Sequence, residues 1–75
     1  MPSIADLKRG QKAVIAYFEE SEIPFTLIEM GCLPGNNVEL VAEAPAHDPI
    51  YLIINDMHLA IRRETARFIP IEIVE

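Results

Sequence analysis

The stretch MGCLPGNNVEL, residues 30–40, sets two glycines, a proline and paired asparagines into an otherwise apolar run. Gly31 suits a helix C-terminus, because glycine adopts a left-handed backbone without steric penalty. Leu33 reads as a return to the core. Pro34 fixes φ at one position of a turn and Gly35 supplies positive φ at the next, the type II pattern. Asn36 and Asn37 tolerate left-handed geometry as the chain straightens. Val38, Leu40 and Ala42 then alternate with Glu39, Val41 and Glu43, the period of a half-buried strand. The stretch is therefore a helix-to-strand corner, and its composition has a structural cause.

Towards the N-terminus, Pro24 suits the first turn of a helix that carries Leu27, Ile28 and Met30. A helix of barely two turns does not hold in water alone, so it must be pinned as a plug against one end of a sheet. Residues 19–22 are an acidic turn. Residues 11–18, QKAVIAYF, read as a first strand, with Ala13, Ile15 and Tyr17 on one face and Val14, Ala16 and Phe18 on the other. Before it, Ile4 and Leu7 anchor an entry segment that Gly10 closes.

Towards the C-terminus, APAHDP at 44–49 is a loop bracketed by Pro45 and Pro49. IYLIIN at 50–55 is a strongly apolar strand, Asn55 and Asp56 mark a tight turn, and MHLAIR at 57–62 returns beside it. Glu64, Thr65 and Ala66 suggest one helical turn. In FIPIEIVE, Ile69, Ile71 and Ile73 alternate with Pro70, Glu72 and Val74, and the proline restricts this strand to an edge or to its first residue. About five short strands in a single domain over residues 1–75 favour a small, partly closed β-barrel, since closure limits exposed edges. Side chains fill a barrel of this size and leave no room for a buried ligand.

Six basic against twelve acidic residues give a net charge of −6. That opposes non-specific nucleic-acid binding, which needs Lys and Arg to neutralise phosphates, and favours a partner with a basic surface. Lys8, Arg9 and Lys12, and then Arg62, Arg63 and Arg67, read as solvated charge that guards strand edges. No signal-peptide pattern opens the chain, and the apolar run Ala13–Phe18 is far shorter than the ~18 residues of a membrane helix. Cys32, the one cysteine, has no partner within the chain, which fits a reducing compartment, the cytoplasm. An apolar-edged barrel of this kind also allows weak self-association by edge pairing.

The nucleophile candidates are Cys32, Ser3, Ser21, Thr26 and Thr65, and the histidines are His47 and His58. None lies in a nucleophile signature such as GxSxG, and no glycine-rich phosphate loop is present, so no enzymatic activity is expected. Cys32 follows a helix end whose carbonyls raise its pKa, and it reads as a buried packing residue. His47, Asp48, His58 and Cys32 lack metal-motif spacing. Two readings of the histidines stand: ordinary surface groups, or a weak Fe2+ or Zn2+ site on His47, Asp48 and His58. A barrel this small cannot hide all its apolar residues. Some of Phe18, Phe25, Ile28, Tyr51 and Phe68 must be exposed, which marks a protein-binding surface.

DLKRG at 6–10, LIEMGCLPG at 27–35, APAHDP at 44–49, LAIRRETARFI at 59–69 and IEIV at 71–74 together resemble, in order and spacing, the FeoA family of bacterial ferrous-iron uptake. The chain departs from the family pattern at Thr26, where an arginine is usual, at His47, which replaces a loop glycine, and at Thr65, which replaces a glutamate. The resemblance implies an SH3-like barrel without enzymatic activity or a dedicated cofactor. It implies a cytoplasmic accessory or regulator of FeoB, the membrane iron transporter, docking on its cytoplasmic domain and so recruited to the inner face of the membrane. The same barrel type resembles the C-terminal regulatory domain of DtxR-type iron repressors. On this reading Phe25, Leu27, Ile28, Met30 and Leu33 serve as core and partner contact together, and Gly10, Gly31, Pro34, Gly35, Asp48 and Pro49 shape the turns. A metal-responsive module built on His47, Asp48 and His58 is the alternative.

Overall fold

The computed structural model describes residues 2–19 and 23–74. Its strands are β1 (Lys12–Ile15), β2 (Asn37–Glu43), β3 (Ile50–Ile54), β4 (Met57–Ile61) and β5 (Ile71–Ile73); its helices are α1 (Phe25–Glu29) and α2 (Arg63–Ala66), with a 3-10 turn at Ile4–Asp6. The strands form one antiparallel sheet in the order β4-β3-β2-β1-β5. This is the small, mainly β, barrel-like architecture expected; among the described residues no ladder joins its two outer strands.

Period-2 alternation builds the core. Leu40, Leu52 and Leu59 line up across β2, β3 and β4, and Val38 faces Ile54. Ile15 faces Ile71 across β1 and β5. All of these are buried, together with Ile4, Leu7, Ile50, Ile61 and Ile69. Val41 is the extra residue of a bulge between Leu40 and Ala42, which locally strengthens the twist that coils a short sheet. Asn55 and Asp56 both take positive φ, 50° and 70°, and join β3 to β4 in a two-residue hairpin. Pro70 sits beside an edge strand, as its missing N–H requires, and bridges to Ser3.

The corner forms as its residues dictate. The Asn36 N–H donates to Leu33 O at 3.1 Å across Pro34 and Gly35, and Gly35 has φ 93°. Gly31 ends the helical turn at φ 100°. The corner is stitched to the end of β1: Gly35 N–H donates to Ile15 O at 2.7 Å, and Ile15 N–H to Asn36 O at 2.9 Å. Neither Asn36 nor Asn37 is left-handed, contrary to expectation. Asn37 is already in β2, and Asn36 uses its side-chain amide instead, donating to Gly31 O at 2.7 Å. Leu33 is only half-buried; Cys32 takes the core position beside it.

The first strand is shorter than its composition suggests. β1 ends at Ile15; one further bond, Ala16 N–H to Pro70 O at 2.8 Å, closes the ladder, and the alternation does not carry on to Tyr17 and Phe18. Tyr17 is 75% exposed and Phe18 is buried, the reverse of a core face shared by Ala13, Ile15 and Tyr17. Phe18 therefore leaves the set of candidate surface aromatics. Pro24 occupies the cap position of α1 rather than its first turn. Ile23 before the cap and Ile28 within the helix have the spacing of a hydrophobic staple, and both belong to the core or pack on it. The expected acidic turn at 19–22 lies, beyond Glu19, outside the described residues, as does Ser21.

Candidate docking site

α1 and the corner that follows it form a surface layer over the barrel. Leu27, Ile28 and Met30 are half-buried and pack on the core, while Phe25 is 69% exposed at the start of the helix. No residue of α1 is fully buried. The helix is held by one face and at its C-terminal end: Cys32 N–H donates to Leu27 O at 3.0 Å, and Gly31 N–H to Ile28 O at 3.1 Å. An exposed aromatic on a short, anchored helix is a candidate contact point, because a phenyl ring left in water contributes nothing to folding. Tyr17, Tyr51, Met57, Phe68 and Val74 are further exposed apolar side chains, and of these the sequence points only to Tyr51 and Phe68.

The basic residues do not all behave as solvated charge. Arg63 is a correction: its side chain is 29% exposed and fully engaged. Its Nε donates to His47 O, its Nη1 to Ala5 O at 2.9 Å and its Nη2 to Glu43. Its backbone N–H donates to Asp48 Oδ1 at 3.0 Å, which caps α2 from another segment, since Arg62 supplies no side-chain cap. One guanidinium thus ties the 3-10 turn, the end of β2 and the 44–49 loop to α2. Lys8, Arg9, Lys12, Arg62 and Arg67 are exposed. Asp48 and Pro49 are joined by a cis peptide bond, and His47 has φ 68°, which shows why glycine suits that position.

His47 Nδ1 lies 3.1 Å from Glu43 Oε1. This hydrogen bond, with the Arg63 charge beside it, lowers the Glu43 carboxyl below its ordinary value of 4.5. A carboxylate whose folded pKa is depressed adds stability at pH above the unfolded value, and that stability is lost as pH falls through the folded value. Wild type is therefore expected to lose stability below pH 4.5 more steeply than Glu43→Gln, the two converging in strong acid. Parallel denaturation midpoints against pH would contradict this linkage.

The candidate residues for chemistry are scattered rather than assembled. Cys32 is buried and its thiol is pushed up to about 11, by burial rather than by the helix carbonyls. Ser3 is engaged in a capping box with Asp6. Thr26 lies exposed on α1 and Thr65 half-buried on α2. His47 sits in the 44–49 loop and His58 on β4; among the described residues no group of three His, Cys, Asp or Glu side chains could hold a metal ion. Arg63 occupies one oxygen of Glu43, so a cation at the His47 end would meet a guanidinium. A shallow groove of about 370 Å³ opens between β1, β2 and β3, lined by both charges: Lys12, Glu39 and Asp56. Among the described residues no helix is long and apolar enough to cross a membrane.

Comparison with known proteins agrees with this architecture. The FeoA domain model matches residues 3–73. An Fe(2+) transport protein A/Fe(2+) transporter FeoB fusion protein from Porphyromonas gingivalis is 33% identical over 72 residues, which is 95% of this chain. The chain spans only 8% of the fusion protein's length. The solution structure of FeoA from Chlorobium tepidum superposes with a TM-score of 0.88 at 28% identity, covering 99% of this chain and 71% of that one. The crystal structure of Stenotrophomonas maltophilia FeoA complexed with zinc, described as a prokaryotic SH3 domain protein, has a TM-score of 0.77 at 21% identity, covering 96% and 91%. At that identity the likeness establishes the SH3-like fold. The corner, the hairpin and the closing strand lie within one family match that runs almost from end to end: the chain belongs to the FeoA domain family, which is associated with ferrous-iron transport.

Proposed function

We propose that this domain is a non-enzymatic docking module that binds the cytoplasmic part of a FeoB-type transporter and tunes ferrous-iron uptake. The observation that carries the reading is the relative in which the matching FeoA segment and a FeoB transporter share one polypeptide. Fusion gives two modules a high effective concentration, which rewards even a weak contact between them. The physical support is the surface: a filled interior, with the exposed Phe25 on a helix whose other apolar residues, Leu27, Ile28 and Met30, brace it from beneath. Leu33 continues that layer into the corner. The net charge of −6 favours a basic face on the partner. On this reading the domain works in the cytoplasm, recruited to the inner face of the membrane by its partner.

The test is calorimetric titration of the domain into the purified cytoplasmic domain of the transporter and into the detergent-solubilised whole, each with and without guanine nucleotide. Saturable heat that fades with salt is the expected result. Absence of binding to both forms at high micromolar concentration would contradict the proposal. A metal-responsive module on His47, Asp48 and His58 is the weaker reading, since the Arg63 guanidinium sits against the same Glu43 carboxylate that holds His47.

A further inference from the structure

The two ends of the sheet are finished differently. At β5, Pro70 precedes the strand, Ile71 N–H donates to Pro2 O at 3.0 Å, and Ser3 bridges Pro70, so the N-terminal segment covers that edge. At β4 none of these devices is present. Met57-His58-Leu59-Ala60-Ile61 carries no charge at neutral His58, no proline, no glycine and no bulge, and it pairs only with β3 among the described residues. Natural edges of this kind are usually blocked, because unpaired N–H and C=O groups template another strand.

The hairpin decides which groups point outward. In a two-residue hairpin the first flanking pair, Ile54 and Met57, is hydrogen-bonded. Alternation then turns the N–H and C=O of Met57, Leu59 and Ile61 towards β3, and those of His58 and Ala60 away from it. Arg62 follows with extended backbone, φ −77° and ψ 147°, but its C=O caps α2, accepting from the Thr65 and Ala66 N–H groups at 3.0 and 2.9 Å, so the outward row of carbonyls ends at Ala60 and only the N–H continues it. His58, Ala60 and Arg62 are all exposed.

The geometry points to a second copy of this chain as the occupant of that edge, paired antiparallel about a two-fold axis at Leu59. In this register His58 of one copy exchanges hydrogen bonds with Ala60 of the other, and Asp56 lies opposite Arg62. The strand is thus self-complementary in charge as well as in hydrogen bonding. Sliding the pairing by two residues removes that match: Asp56 would then face Glu64 on one side or Ala60 on the other. Two short strands bury little area, so the dimer is weak and concentration-dependent. This pairing is independent of the transporter reading, because α1 and the corner take no part in it.

The experiment follows backbone amides by NMR, with hydrogen exchange and sedimentation equilibrium, on the whole chain from roughly 0.02 to 1 mM. The expected result is a mean mass rising towards twice that of the chain, with shift changes and new exchange protection at His58, Ala60 and Arg62. Arg62→Glu, an exposed position, should weaken association by about tenfold or more while leaving the melting temperature of the dilute protein unchanged. A monomer at 1 mM with freely exchanging His58 and Ala60 amides would overturn the proposal. So would a dimer whose perturbed amides lie on α1 or β5, or one indifferent to Arg62→Glu. Protection of these amides only when a different protein is added would equally overturn self-pairing.

Discussion

Leu40→Ala is expected to leave the domain at the margin of folding. Leu40 is fully buried at the centre of the sheet, facing Leu52, and its carbonyl accepts the Gly10 N–H at 2.8 Å. Its side chain sits where β2 begins its bulge, so the neighbouring backbone has little freedom to collapse into the space left behind. Buried Leu→Ala changes cost about 3–5 kcal/mol when relaxation is limited. A domain of this length has roughly 4–10 kcal/mol in all. Leu40→Met, which conserves volume, should cost less than about 1.5 kcal/mol. Chemical denaturation of the pair measures both. A loss below about 1 kcal/mol for the alanine variant would mean that this row of leucines is not the centre of the core.

Arg63→Ala is the second large effect. The side chain joins segments that are 58, 20 and 16 residues away along the chain. Loss of its hydrogen bonds to Ala5 O, His47 O and Glu43, at about 1 kcal/mol each after solvent competition, predicts destabilisation of about 2–3 kcal/mol. Arg63→Lys should recover less than half of this, because an ammonium cannot reproduce the planar fork that reaches three acceptors. Hydrogen exchange should locate the damage in the 3-10 turn and the 44–49 loop. A change within about 0.5 kcal/mol would reduce the fork to an ornament of the surface.

These two residues also mark how far the sequence can be read. Leu40 is legible because alternation along β2 is local: Val38 and Leu40 point one way whatever the rest of the chain does. The Gly31 stop, the Pro34–Gly35 turn and the Asn55–Asp56 hairpin are legible for the same reason, since each is a demand of a few adjacent dihedrals. Arg63 is not. Between two other arginines it reads as solvated charge, and only the tertiary fold brings Ala5, Glu43 and His47 to it. Phe18 and Tyr17 fail differently. Apolar residues continue to Phe18, but the ladder closes with the Ala16 N–H bond to Pro70 O, and composition cannot tell a strand from an extended chain leaving one. Asn36 suggests tolerance of left-handed backbone, whereas the structure uses its amide. The candidate docking surface is legible only as a surplus: too many apolar side chains for so small an interior. That Phe25 is outside and Phe18 inside emerges only with the tertiary structure.

The outer surface around α1, on this view, does the work of the domain. The direct measurement is the affinity of Phe25→Ser for the transporter's cytoplasmic domain, set beside its own melting temperature. Phe25 is 69% exposed, so its removal should leave folding nearly unchanged, while a central aromatic contact is worth about 2 kcal/mol or more in an interface, a loss of roughly thirtyfold. Affinity equal to wild type in a fully folded Phe25→Ser domain would refute a docking role for this surface.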